Sequence, residues 1–103
     1  EVPEATPPMM RGLIDQLRRK AAPVAVLLAA RQDEGKVTLI AGLSRDLVEQ
    51  GADAVQWVRA AAAKVQGGGG GRPDLAQAGG KDPEKLADAL ETARASIREI
   101  LAG

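Results

Sequence analysis

The chain has 103 residues, enough for one domain with its own hydrophobic core. Its fourteen basic and fourteen acidic residues cancel, so net charge gives no argument for a nucleic-acid or membrane partner, and any such site must be local. Cysteine and histidine are both absent, which excludes disulfides and thiolate metal sites and removes the commonest general base, so we expect neither catalysis nor a cofactor in this chain.

The N-terminal residues predict an extended lead-in over 1–8, because three prolines and two glutamates cannot pack, followed by a domain over 9–103. A helix is predicted from Pro8, and Pro23 stops it. Its apolar stripe consists of Met10, Leu13, Ile14, Leu17 and Ala21, and its polar residues are Arg11, Asp15, Arg18, Arg19 and Lys20. We interpret the three terminal basic residues as a solvated helix end in preference to a binding patch.

Two β-branched apolar runs, residues 24–31 and 36–43, flank the turn sequence QDEG and predict an antiparallel hairpin. Both runs are apolar at odd and even positions. Both faces of the sheet should therefore be covered, by helices.

Two helices should follow the hairpin. Ser44 is a candidate N-cap for a short helix through Gln50, which Gly51 can end in the left-handed region. Asp53 and Gln56 then have capping-box spacing. The apolar face of this second helix consists of Val55, Val58, Ala62 and Val65, and it reaches the edge of a glycine run.

The C-terminal part predicts a short strand over residues 75–78, which Gly79 and Gly80 break, and a last helix opened by Asp82 and Pro83. The apolar positions of that helix are Leu86, Leu90, Ala93, Ile97 and Ile100. They span barely two heptads, so we favour packing on the sheet and keep a homodimer interface through helices as an alternative. The fold class is α/β: one small domain with a mixed sheet that contains an antiparallel hairpin, and helices packed on the sheet.

The glycine-rich loop at residues 67–80 is the candidate binding site, because it holds seven of the twelve glycines. Clustered glycine N–H groups can approach phosphate or ribose oxygens directly. A flexible linker is disfavoured, since the residues that follow could not form a second domain. The lysine and Ser/Thr of a Walker loop are missing, which argues against nucleoside triphosphates.

The charges near this loop favour a polyanion as ligand. Three basic residues, Lys64, Arg72 and Lys81, lie close together in the sequence, and Asp74 is the only acidic residue between them. Arg72 could either pair with Asp74 or contact a ligand. Gln77 could either face solvent or hydrogen-bond a base or ribose. The predicted RNA-facing residues are Lys64, Gly67, Gly68, Gly69, Gly70, Gly71, Arg72, Asp74, Gln77, Gly79, Gly80 and Lys81.

Four blocks together resemble the C-terminal domain of bacterial alanyl-tRNA synthetases, from about Met9 to the end. They are MRGLIDQLRRK, VAVLLAARQDEGKVTLIAGLS, DAVQWVRAAAAKV and GGGGGRPDLAQAGGKDPEKLADAL, in which RPDLAQAGG is the most specific element. The same domain type is found in DHH-family phosphoesterases, where the glycine loop carries a histidine that contacts substrate phosphate. Because histidine is absent here, the chain is more similar to the synthetase branch.

The resemblance implies a noncatalytic domain that holds the outer corner, or elbow, of tRNA, with alanine tRNA as the expected partner and no small-molecule substrate. It implies that ATP, magnesium and zinc are used by other domains of the parent enzyme, and that in some members this region contributes to dimerisation. The alternatives are the substrate-binding half of a phosphoesterase and a dimerisation module.

The cellular setting is an expectation from what the sequence lacks. The longest apolar run, residues 24–30, is far shorter than the ~20 residues of a membrane helix, and no signal peptide is recognisable. We expect a soluble, cytoplasmic protein with no membrane partner. Because the chain begins at Glu1 and not at Met, we expect it to be a piece of a longer protein.

Overall fold

The computed structural model describes residues 6–20, 23–32 and 35–102. Its elements in chain order are α1 (Pro7–Lys20), β1 (Ala25–Arg31), β2 (Val37–Leu43), α2 (Arg45–Glu49), α3 (Ala54–Ala62), β3 (Gly68–Arg72), β4 (Leu75–Gly80) and α4 (Leu86–Ala102). Residues 1–5 of the predicted lead-in lie outside the described residues, and the first helix begins at Pro7. The predicted start at Pro8 is thus within one residue of the observed one; the helix ends at Lys20, before Pro23, and residues 21–22 lie outside the described residues.

The four strands form one sheet in the order β1-β2-β4-β3, and every neighbouring pair is antiparallel. The α/β class and the hairpin of β1 and β2 are confirmed, but the sheet is antiparallel throughout and not mixed. The glycine-rich segment is not a loop followed by a short strand, because Gly68–Arg72 is itself a strand paired with Leu75–Gly80. Glycine keeps both backbone hydrogen-bonding groups, so pairing with β4 outweighs its low strand propensity.

Helices cover both faces of the sheet, as predicted. On one face, α3 and α4 enclose the larger core, with Leu39, Trp57 and Leu86 at 0%, 4% and 1% exposure. On the other face, α1 lies over the sheet with Met10 and Ile14 fully buried against Ile40.

The predicted stripe of α1 is only partly buried. Leu13 and Leu17 are each 42% exposed, and Met9 is 58% exposed. α1 lies so close to β2 that a side chain at Gly42 would collide with Ile14. The row of α1 side chains that is buried against the sheet consists of Met10 and Ile14. Ala21, the last predicted member of the stripe, lies outside the described residues.

The helix caps differ from one another in how they are made. Asp53 caps α3, since its Oδ1 accepts a hydrogen bond from the Val55 backbone N at 2.9 Å. Ser44 precedes α2 without capping it, because its Oγ accepts instead from the Val24 backbone N at 3.0 Å. Gly51 has φ +102°, as expected of the residue that ends α2.

The last helix begins later than predicted. Asp82 makes no capping hydrogen bond, and Pro83–Lys85 forms a 3₁₀ turn before α4. Along α4, Leu86 and Ala93 are buried, while Leu90, Ile97 and Ile100 pack against the larger core. The apolar positions of this helix therefore serve the domain's own core.

Candidate nucleic-acid interface

The candidate site is the hairpin of β3 and β4, which carries most of the predicted RNA-facing residues. β3 is an edge strand whose only neighbour in the sheet is β4, with Gly68 opposite Gly79 and Gly70 opposite Gln77. Four of its five residues are glycines, so its outer edge presents backbone with almost no side chain. Unpaired N–H and C=O groups at such an edge can bind an external ligand.

Four of the seven glycines in residues 67–80 are required by packing within the domain. A Cβ at Gly67 would collide with the Gly79 carbonyl, and one at Gly80 would collide with Val65. A Cβ at Gly69 would collide with the backbone of Gln77 and Ala78. At Gly71 it would lie 2.7 Å from the Leu75 carbonyl oxygen, in a backbone with φ +144°.

The remaining glycines of the hairpin have room for a side chain. A Cβ at Gly68 would have no neighbour within 4 Å, and one at Gly79 would lie 3.7 Å from the Val37 carbonyl oxygen. At Gly70 the nearest atom would be Nη2 of Arg59, at 3.9 Å. Packing does not require glycine at these three positions, where the missing side chain leaves the backbone open to close approach.

Arg72 lies at the end of β3, and both interpretations of it apply to this geometry. Its Nε is 3.5 Å from Oδ1 of Asp74, yet its side chain is 71% exposed. An ion pair this exposed stabilises a protein weakly. The guanidinium therefore keeps most of its donors available to a ligand.

The hairpin tip, residues 72–74, is held by three elements distant in sequence. The Asp74 carbonyl oxygen accepts hydrogen bonds from the Leu43 backbone N at 3.0 Å and from Nη1 of Arg18 at 3.1 Å. The Pro73 carbonyl oxygen accepts from the Ala54 backbone N at 2.9 Å. These contacts fix the tip to β2, α1 and α3.

Gln77 is paired across the domain. It lies on the side of β4 that faces α1, and its Oε1 accepts a hydrogen bond of 2.6 Å from Nη2 of Arg11. The bond orients the amide and places Arg11 beside the glycine hairpin. Gln77 is accordingly half-buried and paired with Arg11, and its contact with a base or ribose stays a prediction.

Lys64 and Lys81 are exposed at the end of the hairpin opposite the tip. The Lys81 backbone N donates to the Val65 carbonyl oxygen at 2.8 Å, which brings the two lysine-bearing segments together. Arg72 is the last residue of the five-residue strand β3, whose four steps from Gly68 span roughly 13 Å at 3.3 Å per residue. Cations therefore lie at both ends of the bare glycine edge.

Two arginines belong to this surface that the sequence reading did not place there. Arg11 reaches Gln77, and the exposed Arg59 donates from Nε to the Gly69 carbonyl oxygen at 2.8 Å. Arg11 lies 66 residues from Gln77 in the sequence and Arg59 lies ten residues from Gly69, and no motif marks either contact. Helical spacing shows only that they avoid the apolar faces.

The basic end of α1 divides into two kinds of residue. Arg18 is structural, with a side chain only 19% exposed and ion pairs to Asp15 and Asp74. Arg19 and Lys20 are exposed. A groove of mixed charge runs between this helix end, α2 and the tip, and its charged lining residues are Asp15, Arg18, Arg19, Arg45, Asp46, Glu49 and Asp74.

The described part of the chain holds no group of three or more acidic side chains arranged to bind a metal ion. Within residues 6–20, 23–32 and 35–102, no helix has both the length and the apolar character that crossing a membrane requires.

Comparison with known proteins identifies similar chains. The family model described as DHHA1 domain matches residues 1–99. The alanine–tRNA ligase of Rhodopirellula baltica is 57% identical over 102 residues, which are 98% of this chain and 11% of the relative. That of Bacillus velezensis is 48% identical over 92 residues, which are 89% of this chain and 10% of the relative. The chain thus spans about a tenth of the length of these curated relatives.

One solved structure covers nearly the whole chain. The crystal structure of the C-Ala domain from Aquifex aeolicus alanyl-tRNA synthetase superposes with a TM-score of 0.80 at 35% sequence identity. The match covers 98% of this chain and 86% of that one.

Proposed function

The chain belongs to the DHHA1 domain family, and from this premise we propose that it is a noncatalytic RNA-binding domain that holds tRNA for an alanine–tRNA ligase. The resemblance drawn from RPDLAQAGG and the flanking blocks is confirmed by these matches. The finer proposal is that the domain grips the elbow of tRNA and so presents the acceptor end to aminoacylation and editing sites elsewhere in a longer enzyme.

One combination of features in the β3–β4 hairpin carries the proposal. Some of its glycines are not required by packing, and positively charged side chains lie at both of its ends. Gly68, Gly70 and Gly79 have room for a Cβ, and Arg72 and Lys81 lie at opposite ends of the strand pair. Bare backbone suits a ligand that must approach closely, and separated cations suit a ligand with several phosphates. Folded RNA has both properties.

The aromatic content of the chain limits how it can recognise RNA. Trp57 is its only aromatic residue and is buried at 4% exposure, so stacking of unpaired bases on aromatic rings is not available. Recognition therefore depends on the shape of the RNA, its phosphates and its 2′-hydroxyls. The balanced net charge fits an accessory contact, to which tethering in a larger enzyme adds effective concentration.

The test is a titration of the 103-residue chain with an alanine tRNA transcript, a second tRNA and an unstructured RNA of equal length, at about 50 and 200 mM salt. We expect both tRNAs to bind more tightly than the unstructured RNA, and affinity to fall as salt rises. Equal affinity for all three would remove elbow recognition, and no binding to any of them would remove the whole proposal. A preference for alanine tRNA over the other tRNA would show specificity for the cognate species.

Homodimerisation is a second candidate role, because Met9, Leu13 and Leu17 lie at spacings of four along α1 and are 58%, 42% and 42% exposed. Such a stripe on a helix can pack against another copy. Sedimentation equilibrium of the chain with and without RNA tests it. A monomer at high concentration in both would remove this role from the 103-residue chain.

A further inference from the structure

The turn that joins β3 to β4 does not have the geometry that two-residue hairpins favour. Two residues, Pro73 and Asp74, connect Arg72 with its cross-strand partner Leu75. Two-residue hairpins favour turns with positive φ, because only those match the twist of the strands. Among the described residues the only non-glycine with positive φ is Gln66, so neither residue of this turn adopts that geometry.

Contacts from outside the hairpin hold this turn, and Arg18 makes the side-chain contacts among them. Its Nη1 lies 3.1 Å from the Asp74 carbonyl oxygen and 3.4 Å from Oδ2 of the same residue, while Nη2 donates to Asp15. The fixed fork of a guanidinium allows one side chain to make all three contacts. The Arg18 side chain is largely buried, which strengthens these bonds relative to the exposed pair at the tip.

The carboxylate of Asp74 is shared between two arginines. Oδ2 faces Arg18, and Oδ1 lies 3.5 Å from Nε of Arg72. An arginine that neutralises the carboxylate from the inner side weakens its attraction for the outer one. Without Arg18, both oxygens would be left to Arg72, and that pair would compete with any phosphate for the same guanidinium.

We propose that Arg18 is a positioning residue for RNA binding, which fixes the hairpin tip and keeps Arg72 available to a phosphate without touching RNA itself. This inference rests on the proposed function. Its partner chemistry is a backbone phosphate of folded RNA at the tip. Arg18 acts through the Asp74 carbonyl and carboxylate.

The experiment compares four variants of the 103-residue chain by fluorescence anisotropy with a labelled alanine tRNA transcript at two salt concentrations. They are Arg18→Met, Arg72→Met, the double variant Arg18→Met/Arg72→Met, and Arg94→Met as control. Arg94 is exposed on α4, has only a 3.9 Å ion pair with Glu91, and lies on the opposite face of the sheet from α1. Arg94→Met removes one positive charge, as Arg18→Met and Arg72→Met each do, so it controls for the change in net charge.

We expect Arg18→Met and Arg72→Met each to weaken binding about fivefold or more, and the double variant to bind no more weakly than the worse single variant. Each should lower the salt slope by one phosphate contact, roughly 0.7 to 0.9, and the double variant should lower it no further. Arg94→Met should leave the affinity within about twofold. A loss of packing alone would not reduce the salt slope in this nonadditive manner.

Arg18→Lys keeps the charge and the aliphatic stem, so it tests the proposal even if Arg18→Met fails to fold by circular dichroism. One ammonium cannot make the three contacts of the guanidinium fork, and we expect this variant to bind less tightly than wild type. Wild-type affinity for Arg18→Lys would overturn the proposal. So would an Arg18→Met that behaves like Arg94→Met, or a double variant that loses two phosphate contacts, since Arg18 would then bind RNA directly.

The two proposals fail in different ways. If wild type binds tRNA and Arg72→Met weakens it while Arg18→Met does not, only the role of Arg18 is lost. If wild type does not bind tRNA, the proposed function and this inference are lost together.

Discussion

Trp57 donates a hydrogen bond of 2.7 Å from Nε1 to the backbone carbonyl oxygen of Ala93, and so joins α3 to α4 at the centre of the larger core. The indole is 4% exposed, and the chain has no other aromatic residue. One polar contact therefore sets how the two helices meet on this face of the sheet.

Replacing this residue tests that bond. Trp57→Phe loses the N–H donor and leaves a gap beside the smaller ring, so we expect the free energy of unfolding to fall by about 1 to 3 kcal/mol. Urea unfolding followed by circular dichroism measures it, since the fluorophore is lost with the substitution. An unchanged midpoint and slope would show that the bond contributes nothing net.

Two neighbouring glycines of β3 differ in whether packing requires them. Gly69→Ala would place a Cβ against the backbone of Gln77 and Ala78, so we expect thermal unfolding to shift down by several degrees. Gly68→Ala, the neighbouring control with no atom within 4 Å of the new Cβ, should leave the melting temperature nearly unchanged.

Gly68→Ala carries a second expectation, on tRNA binding. If RNA approaches the backbone there, the added methyl should weaken affinity while the protein stays folded. Wild-type affinity would move the contact surface away from Gly68. The same titration as for the wild-type chain reads this out.

Neither packing nor a positive φ requires glycine at position 12. It lies on the exposed side of α1, and a Cβ there would meet nothing within 4 Å. Gly12→Ala should stabilise the domain by roughly 0.5 to 1 kcal/mol through helix propensity. Gly42→Ala is the opposite case, because its Cβ would strike Ile14, and it should destabilise.

The two aspartates that precede helices differ in what they do. Asp53 accepts a capping bond from Val55, so Asp53→Ala should lower the free energy of unfolding by about 1 kcal/mol. Asp82 makes no such bond, and Asp82→Ala should change it by less than about half of that. Chemical denaturation of both variants compares them, and equal losses would mean that the bond at Asp53 is not the cause.

Local patterns in the sequence predicted most of the helices and strands. The two apolar runs on either side of QDEG located β1 and β2, and Asp53 located the start of α3. The glycine run was misassigned as a loop, because a strand of glycines has no side-chain pattern and its pairing with β4 is decided by backbone hydrogen bonds.

The candidate site was predicted less completely, because some of its contacts join residues that are far apart in the sequence. The bonds from Arg11 to Gln77 and from Arg18 to Asp74 join residues 66 and 56 positions apart. No short motif encodes such pairs. The sequence therefore predicted a candidate binding segment but not which helix holds it in place.

Because the hairpin tip is anchored to α1, β2 and α3, we expect it to be one of the last features to form as the chain folds. Contacts between distant segments carry the largest loop-closure entropy and slow folding most. The tip can take its shape only after those three elements have docked. A partly folded or cleaved chain would thus lack the surface even with every residue of the hairpin intact, and under the proposed function binding of tRNA would require the whole domain to be folded.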